Sequence, residues 1–121
     1  MAHWQLIVVV FGAILALALL KRAGLVSAKK ARALLQQNAR VVDVRTPQEF
    51  DARRLPSAVN IPLDQLAHQA PRQFPDRQQV ILVHCLSGTR SGMARSQLRQ
   101  MGYTNVFNLG SFTRAKNILG A

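Results

Sequence analysis

VILVHCLSGTRS, residues Val80–Ser91, is an apolar run that ends at the chain's only cysteine and gives way at once to Ser, Gly, Thr and Arg. The continuous apolar character of QVILVHC predicts a strand covered on both faces, as strands of parallel sheets are. The small residues after it can curl. SGMARSQLRQM then places Ala94, Leu98 and Met101 at helical spacing before Gly102 ends the pattern. Ser91 or Gly92 is expected to open that helix. Strand, small-residue loop and helix form the unit of open parallel α/β sheets, which bind ligands at the carboxyl ends of their strands. Cys85 stands at such an end.

Working outward, the same alternation recurs. Ser27 caps an expected helix through AKKARALLQQ, with Ala28, Ala31, Leu34 and Leu35 on one face and Asn38 as terminator. RVVDVR reads as a strand, and TPQEF as a helical turn with Thr46 as cap and Pro47 in the first helical position. SAVNIP is a second strand, LDQLAHQA a helix ended by Pro71, and TNVFNL a last strand. One domain over residues 25–121 is expected, an open, mostly parallel sheet with helices on both faces. No internal repeat or low-complexity linker interrupts it.

The amino-terminal segment is different. Trp4–Leu20, WQLIVVVFGAILALALL, carries no charge and is followed by Lys21 and Arg22. Such a helix rises roughly 26 Å, the short end of what spans a bilayer. The sequence thus predicts one transmembrane helix over residues 4–20, within an anchor and basic flank at residues 1–24. A core helix is the poorer reading, because nothing downstream could wrap a helix apolar on every side. A secretory signal is also poorer, although Ala16–Ala18 resembles a cleavage site, because the basic residues follow the apolar run instead of preceding it. Lys21, Arg22, Lys29, Lys30 and Arg32 place the domain on the cytoplasmic side of a bacterial-type inner membrane, single-pass, with Trp4 at the outer interface.

Sixteen Lys and Arg against five Asp and Glu give a formal charge of +11 and imply anionic partners. The basic residues are scattered and not interleaved with aromatics, which argues against nucleic acid. A single Cys excludes an internal disulfide or a thiolate metal cluster. His68 has no companion ligand, so no metal site is expected.

A thiol with a pKa near ~8.5 is only a few per cent thiolate at neutral pH, and loop amides, a helix amino terminus or a cation lower that value. Arg90 points the same way. A cation at a helix start opposes the dipole by roughly 0.3–1 kcal/mol unless an anion lies between them. The alternative is a small buried Cys with Arg90 merely solvated.

HCLSGTRS with MARSQLRQMGYTNVFNLG resembles the active-site segment of rhodanese-homology domains, and VVDVRTPQEFDARRLPSAVNIPLDQL resembles the same family's upstream strands and Glu-Phe turn. The resemblance runs from about Leu25 to Leu109. It implies an α/β fold in which Cys85 takes sulfane sulfur from a small anionic donor, such as thiosulfate or a persulfide, and passes it to an external thiol acceptor. No cofactor is implied. By the same resemblance Leu86, Ser87, Gly88, Thr89, Arg90 and Ser91 form the substrate-binding loop, and Cys85 and Arg90 are catalytic. Cys-x4-Arg is shorter than the Cys-x5-Arg of related phosphatases, which favours a sulfur atom over a phosphate. The chain departs from the family in having Gly110-Ser111 and FTRAKNILGA where many members continue Gly-Gly and reach a Trp. Arg54-Leu55-Pro56-Ser57-Ala58 likewise replaces Gly-His-Ile-Pro-Gly-Ala. A membrane-tethered sulfurtransferase is the first reading, and a non-catalytic docking module on the same anchor is the alternative.

Three further expectations concern charged neighbours. Arg45 and Glu49, four apart, are read with Asp43 as a structural ion network. His84 should face away from Cys85 by strand alternation. Arg53 and Arg54 are candidates for extra cations lining the site.

Overall fold

The computed structural model describes residues 2–121, with backbone but not side chains given for residues 20–23. Six helices and four strands follow one another: α1 His3–Ala23, α2 Ala28–Leu35, β1 Arg40–Asp43, α3 Pro47–Ala52, β2 Val59–Asn60, α4 Leu66–Gln73, β3 Ile81–His84, α5 Thr89–Gln100, β4 Val106–Gly110 and α6 Phe112–Leu119. A 3-10 turn, Leu63–Gln65, leads into α4.

The sheet is entirely parallel, in the order β2-β1-β3-β4. Helices α4 and α5 cover one face, and α2 and α6 cover the other. This is the expected α/β architecture. Strand β3 is buried along its whole length, so Ile81, Leu82 and Val83 each contribute roughly 1.5–3 kcal/mol. Ile81 and Val83 join the α4/α5 core, and Leu82 joins the α2/α6 core. From β1 the chain steps outward to β2 and then returns past β1 to β3. The reversal lies between β1 and β3, where such sheets open a crevice at their carboxyl ends.

Local chemistry explains the helix starts. Ser27 Oγ accepts the Lys30 N–H at 3.1 Å, and Thr46 and Glu49 form a reciprocal capping box with Pro47 in the first turn. Ser111 caps α6 by accepting the Arg114 N–H, and Gly120 closes it with φ +72°.

Two sequence expectations change in detail. Strand β2 is only two residues long, because Pro56 and Pro62 bracket it and Ser57 turns the chain with φ +65°. Pro71 lies inside α4 instead of ending it. Its missing N–H costs the bond to the carbonyl of Ala67, which is exposed, and the end of α4 is pinned where Tyr103 Oη donates to Phe74 O at 2.6 Å. Helix α6 forms although the chain has no Trp after Gly110, and its own Phe112, Ala115 and Ile118 are buried.

The transmembrane helix read from residues 4–20 is not supported. Among the described residues no helix is long and apolar enough to cross a membrane. The side chains of Leu20, Lys21 and Arg22, counted at the end of the span, lie outside the described residues. From Ala2 to Leu19 the described side chains are exposed, and no α1 residue joins either core.

Candidate functional site

The cradle is built where β3 meets α5. Cys85 directly follows β3, continues the face of Val83 and is fully buried. Its backbone is held in sheet register by the bond from Cys85 N–H to Gly110 O at 3.2 Å. After it the chain must reverse inward within three residues, which requires the left-handed conformation. Gly88 supplies it with φ +98° and is the amino-terminal cap of α5. Helix α5 begins at Thr89, two residues earlier than the expected Ser91. The predicted loop therefore divides into Leu86, Ser87 and Gly88 as loop proper, and Thr89, Arg90 and Ser91 as the first helical turn.

This turn aims donors at sulfur. Gly88 N–H donates to Cys85 Sγ at 3.0 Å and Ser91 N–H at 3.4 Å, while Ser91 Oγ lies 3.4 Å from Sγ. Burial pushes the thiol pKa up, but the Ser91 hydroxyl and the amides of Ser91, Gly88 and Ser87 outweigh it, so the thiol sits below its ordinary value. The arrangement can hold an anion on sulfur. Leu86 and Thr89 are exposed.

Residues distant in sequence fix the loop. Gly110 N–H donates to Asn108 Oδ1 at 2.8 Å, and Ser91 Oγ lies 3.1 Å from Gly88 O and 3.4 Å from Gly110 O. Asn108, buried in the middle of β4, was not singled out by sequence reasoning. Its signal was a polar residue breaking the apolar run of TNVFNL.

Arg90 is where the structure departs most from expectation. Its guanidinium does not reach the sulfur but grips Glu49, Nη1 to Oε1 at 2.6 Å and Nη2 to Oε2 at 3.0 Å. This clamp holds the Glu49 carboxyl down at about 2, and the same contact raises Arg90. Arg45, assigned to Glu49 by spacing, instead makes a buried two-pronged pair with Asp43. Beside the clamp opens a cavity of about 390 Å³ lined by Val44, Thr46, Pro62, Leu63, Asp64 and Arg90.

The remaining candidates fall away from the sulfur. His84 lies on the opposite face of the sheet, edge-on to Phe112, and burial lowers its pKa, keeping it neutral. Arg53 stacks on Phe112 and Arg54 on Phe50, so neither lines the cradle. His68 is exposed on α4.

Comparison with known proteins agrees with this geometry. A family model described as "Rhodanese-like domain" matches residues 27–117. Thiosulfate sulfurtransferase PspE of Escherichia coli (strain K12) is 36% identical over 69 residues, which is 57% of this chain and 66% of PspE. Thiosulfate sulfurtransferase GlpE of Pseudomonas syringae pv. syringae (strain B728a) is 30% identical over 81 residues, 67% of this chain and 74% of GlpE. The chain spans just under two thirds of PspE and 61% of a Bacillus subtilis (strain 168) relative, YqhL. Among solved structures, the human single-domain sulfurtransferase TSTD1 superposes with a TM-score of 0.65 at 30% identity, over 78% of this chain and 96% of that one. With the matching model covering the whole sheet and both helical layers, this chain belongs to the family of rhodanese-like domains.

Proposed function

We propose that the chain is a sulfurtransferase in which Cys85 carries sulfane sulfur as a persulfide. The observation that carries the reading is the convergence of the Gly88 and Ser91 N–H groups on Cys85 Sγ. A thiolate there attacks the outer sulfur of thiosulfate, the S–S bond breaks, and its electron pair leaves with sulfite. The product is a Cys85 persulfide anion held by the same amides. An external thiolate, or cyanide in an assay, then attacks the outer sulfur and returns Cys85 as thiolate. No second Cys exists to resolve the persulfide within the chain, so the acceptor comes from outside. Thiosulfate as donor rests on the names of PspE and GlpE.

Arg90 fits the role of a positioning residue better than that of a direct donor ligand. Clamped to Glu49, it ties the first turn of α5 to α3, and its charge is already compensated. Intact-mass spectrometry after incubation with thiosulfate tests the whole reading. One added sulfur on the wild type and none on Cys85→Ser is expected. No added sulfur from thiosulfate or from a glutathione persulfide would leave the docking-module alternative.

We also propose that α1 anchors the domain to a membrane, with the domain on the cytoplasmic side. Trp4 and the apolar residues from Leu6 to Leu19 are exposed around the whole helix, Phe11 by 70% and Val9 by 67%. Apolar surface unburied on every side calls for an apolar solvent. Leu20 extends the uncharged run, and the cations that follow it in sequence set the side.

A further inference from the structure

The sulfur site leaves the charge of the chain unexplained. Every acidic side chain lies between Asp43 and Asp76, so the segments before and after carry the entire positive excess. Those segments contain α2, α5, β4 and α6, which meet at one edge of the sheet. The two Arg–carboxylate pairs among the described residues, Arg45 with Asp43 and Arg90 with Glu49, both draw on the acidic middle segment. Nothing on the β4 edge is neutralised by them.

At that edge Lys30 of α2 and Arg95 and Arg99 of α5 converge on a cavity of about 330 Å³ shared with Ser27, Phe107 and Asn108. No acidic side chain lines it. Lys30 Nζ lies 4.5 Å above the Phe107 ring, and Arg95 Nε donates to Val106 O at 3.0 Å, which fixes both cations in place. Burial and the neighbouring Arg99 charge both hold Arg95 below the ordinary arginine range, so like charges stand together here without a counter-ion. An anion between them would relieve that repulsion, and a guanidinium fork suits a phosphate.

The cavity also sits where α1 joins the domain. Gly24 and Leu25 line it, Leu25 bridges to Asn108, and Val26 N–H donates to Asn108 O at 2.9 Å, continuing the β4 edge. Given the anchor role proposed for α1, on which this step rests, a groove lined by the residues directly after α1 lies next to the headgroups. We infer that the groove between α2, α5 and β4 is a docking surface for the phosphate headgroups of anionic phospholipids, which seats the domain against the membrane. Nucleic acid is the less suitable occupant, because the single aromatic in the groove is already covered by Lys30 and offers no stacking platform.

Flotation of the whole 121-residue chain tests this. The probes are vesicles of phosphatidylcholine alone and vesicles containing phosphatidylglycerol as well. Partition into neutral vesicles reports α1. The gain on anionic vesicles reports the groove, at about fivefold per cation and on the order of a hundredfold for three. The triple variant Lys30→Gln, Arg95→Gln, Arg99→Gln should lose the gain and keep the neutral partition. The double variant Lys30→Gln, Arg99→Gln, which spares the Arg95 bond to Val106, should lose most of it. Equal partition of the wild type into both vesicles, or a gain that survives in both variants, overturns the headgroup site and leaves the anchor standing. A gain on anionic vesicles with no partition into neutral ones supports the site and removes the anchor. Displacement from anionic vesicles by an RNA duplex that contacts the same three cations overturns it in favour of nucleic acid.

Discussion

Arg90 and Glu49, 41 residues apart, form a two-pronged ion pair whose shorter contact is 2.6 Å. It joins the turn that cradles Cys85 to the capping box of α3, because Glu49 Oε1 also accepts the N–H and hydroxyl of Thr46. The pair is about a third exposed at each side chain, so its contribution is on the scale of 1 kcal/mol. Glu49 falls from 4.5 to about 2 on folding, so this stability is fully present above pH 4.5 and is lost as pH falls toward 2. Acid titration of unfolding should show that loss in the wild type and a flatter curve in Glu49→Gln. Identical curves would remove the pair from the stability of the fold.

Loading of Cys85 should follow the thiolate. With the thiol lowered by its donors, the rate of sulfur uptake rises with pH and levels off below the ordinary titration range of a cysteine. Ser91→Ala removes the hydroxyl and leaves the amide, so the plateau should move to higher pH and loading at neutral pH should slow by about fivefold, the value of one hydrogen bond near 1 kcal/mol. Absorbance titration of the thiolate, read beside thiocyanate formation, checks both. An unchanged thiol pKa in Ser91→Ala would assign the shift to the backbone amides alone.

Gly88 should tolerate no side chain. An added Cβ would meet Gly110 Cα at 3.5 Å, an ordinary contact, so the obstacle is conformational. At φ +98° an L-residue is strained by roughly 1–2 kcal/mol. Gly88→Ala should lower Tm by about 4–8 °C per kcal/mol and displace the N–H that faces sulfur, reducing activity beyond what the lost stability explains. Wild-type loading kinetics in Gly88→Ala would show that this amide does not hold the persulfide.

The side of the membrane is open to a fusion measurement. On the proposed topology, alkaline phosphatase joined after Ala121 should be inactive when expressed in bacteria. A strongly active fusion, or a mature chain beginning near Leu19, would place the domain outside and make residues 1–18 an export signal.

Sequence by itself was sufficient for the layered architecture and for the position of the thiol. Buried parallel strands need apolar residues on both faces, and caps need Ser, Thr and Gly at fixed offsets, so QVILVHC, Ser27, Thr46 and Gly102 announce themselves locally. Strand alternation also sent His84 to the face opposite Cys85. Long-range pairing had no such local signature. Spacing assigned Glu49 to Arg45, yet the parallel sheet sets the start of α3 beside the start of α5, so Glu49 meets Arg90 and leaves Arg45 to Asp43. Asn108 reaches the cradle from β4, its Nδ2 donating to Gly88 O at 3.5 Å beside a slip in the β3–β4 register, which no neighbour in the chain reveals. The same holds for the basic groove, since Lys30, Arg95 and Arg99 are scattered in the chain and become one patch only when α2 and α5 pack on either side of the same edge strand. Local preferences act over a few residues through backbone sterics and hydrogen bonds, whereas charge pairing acts over a few ångströms through space and waits on the fold to decide who is near.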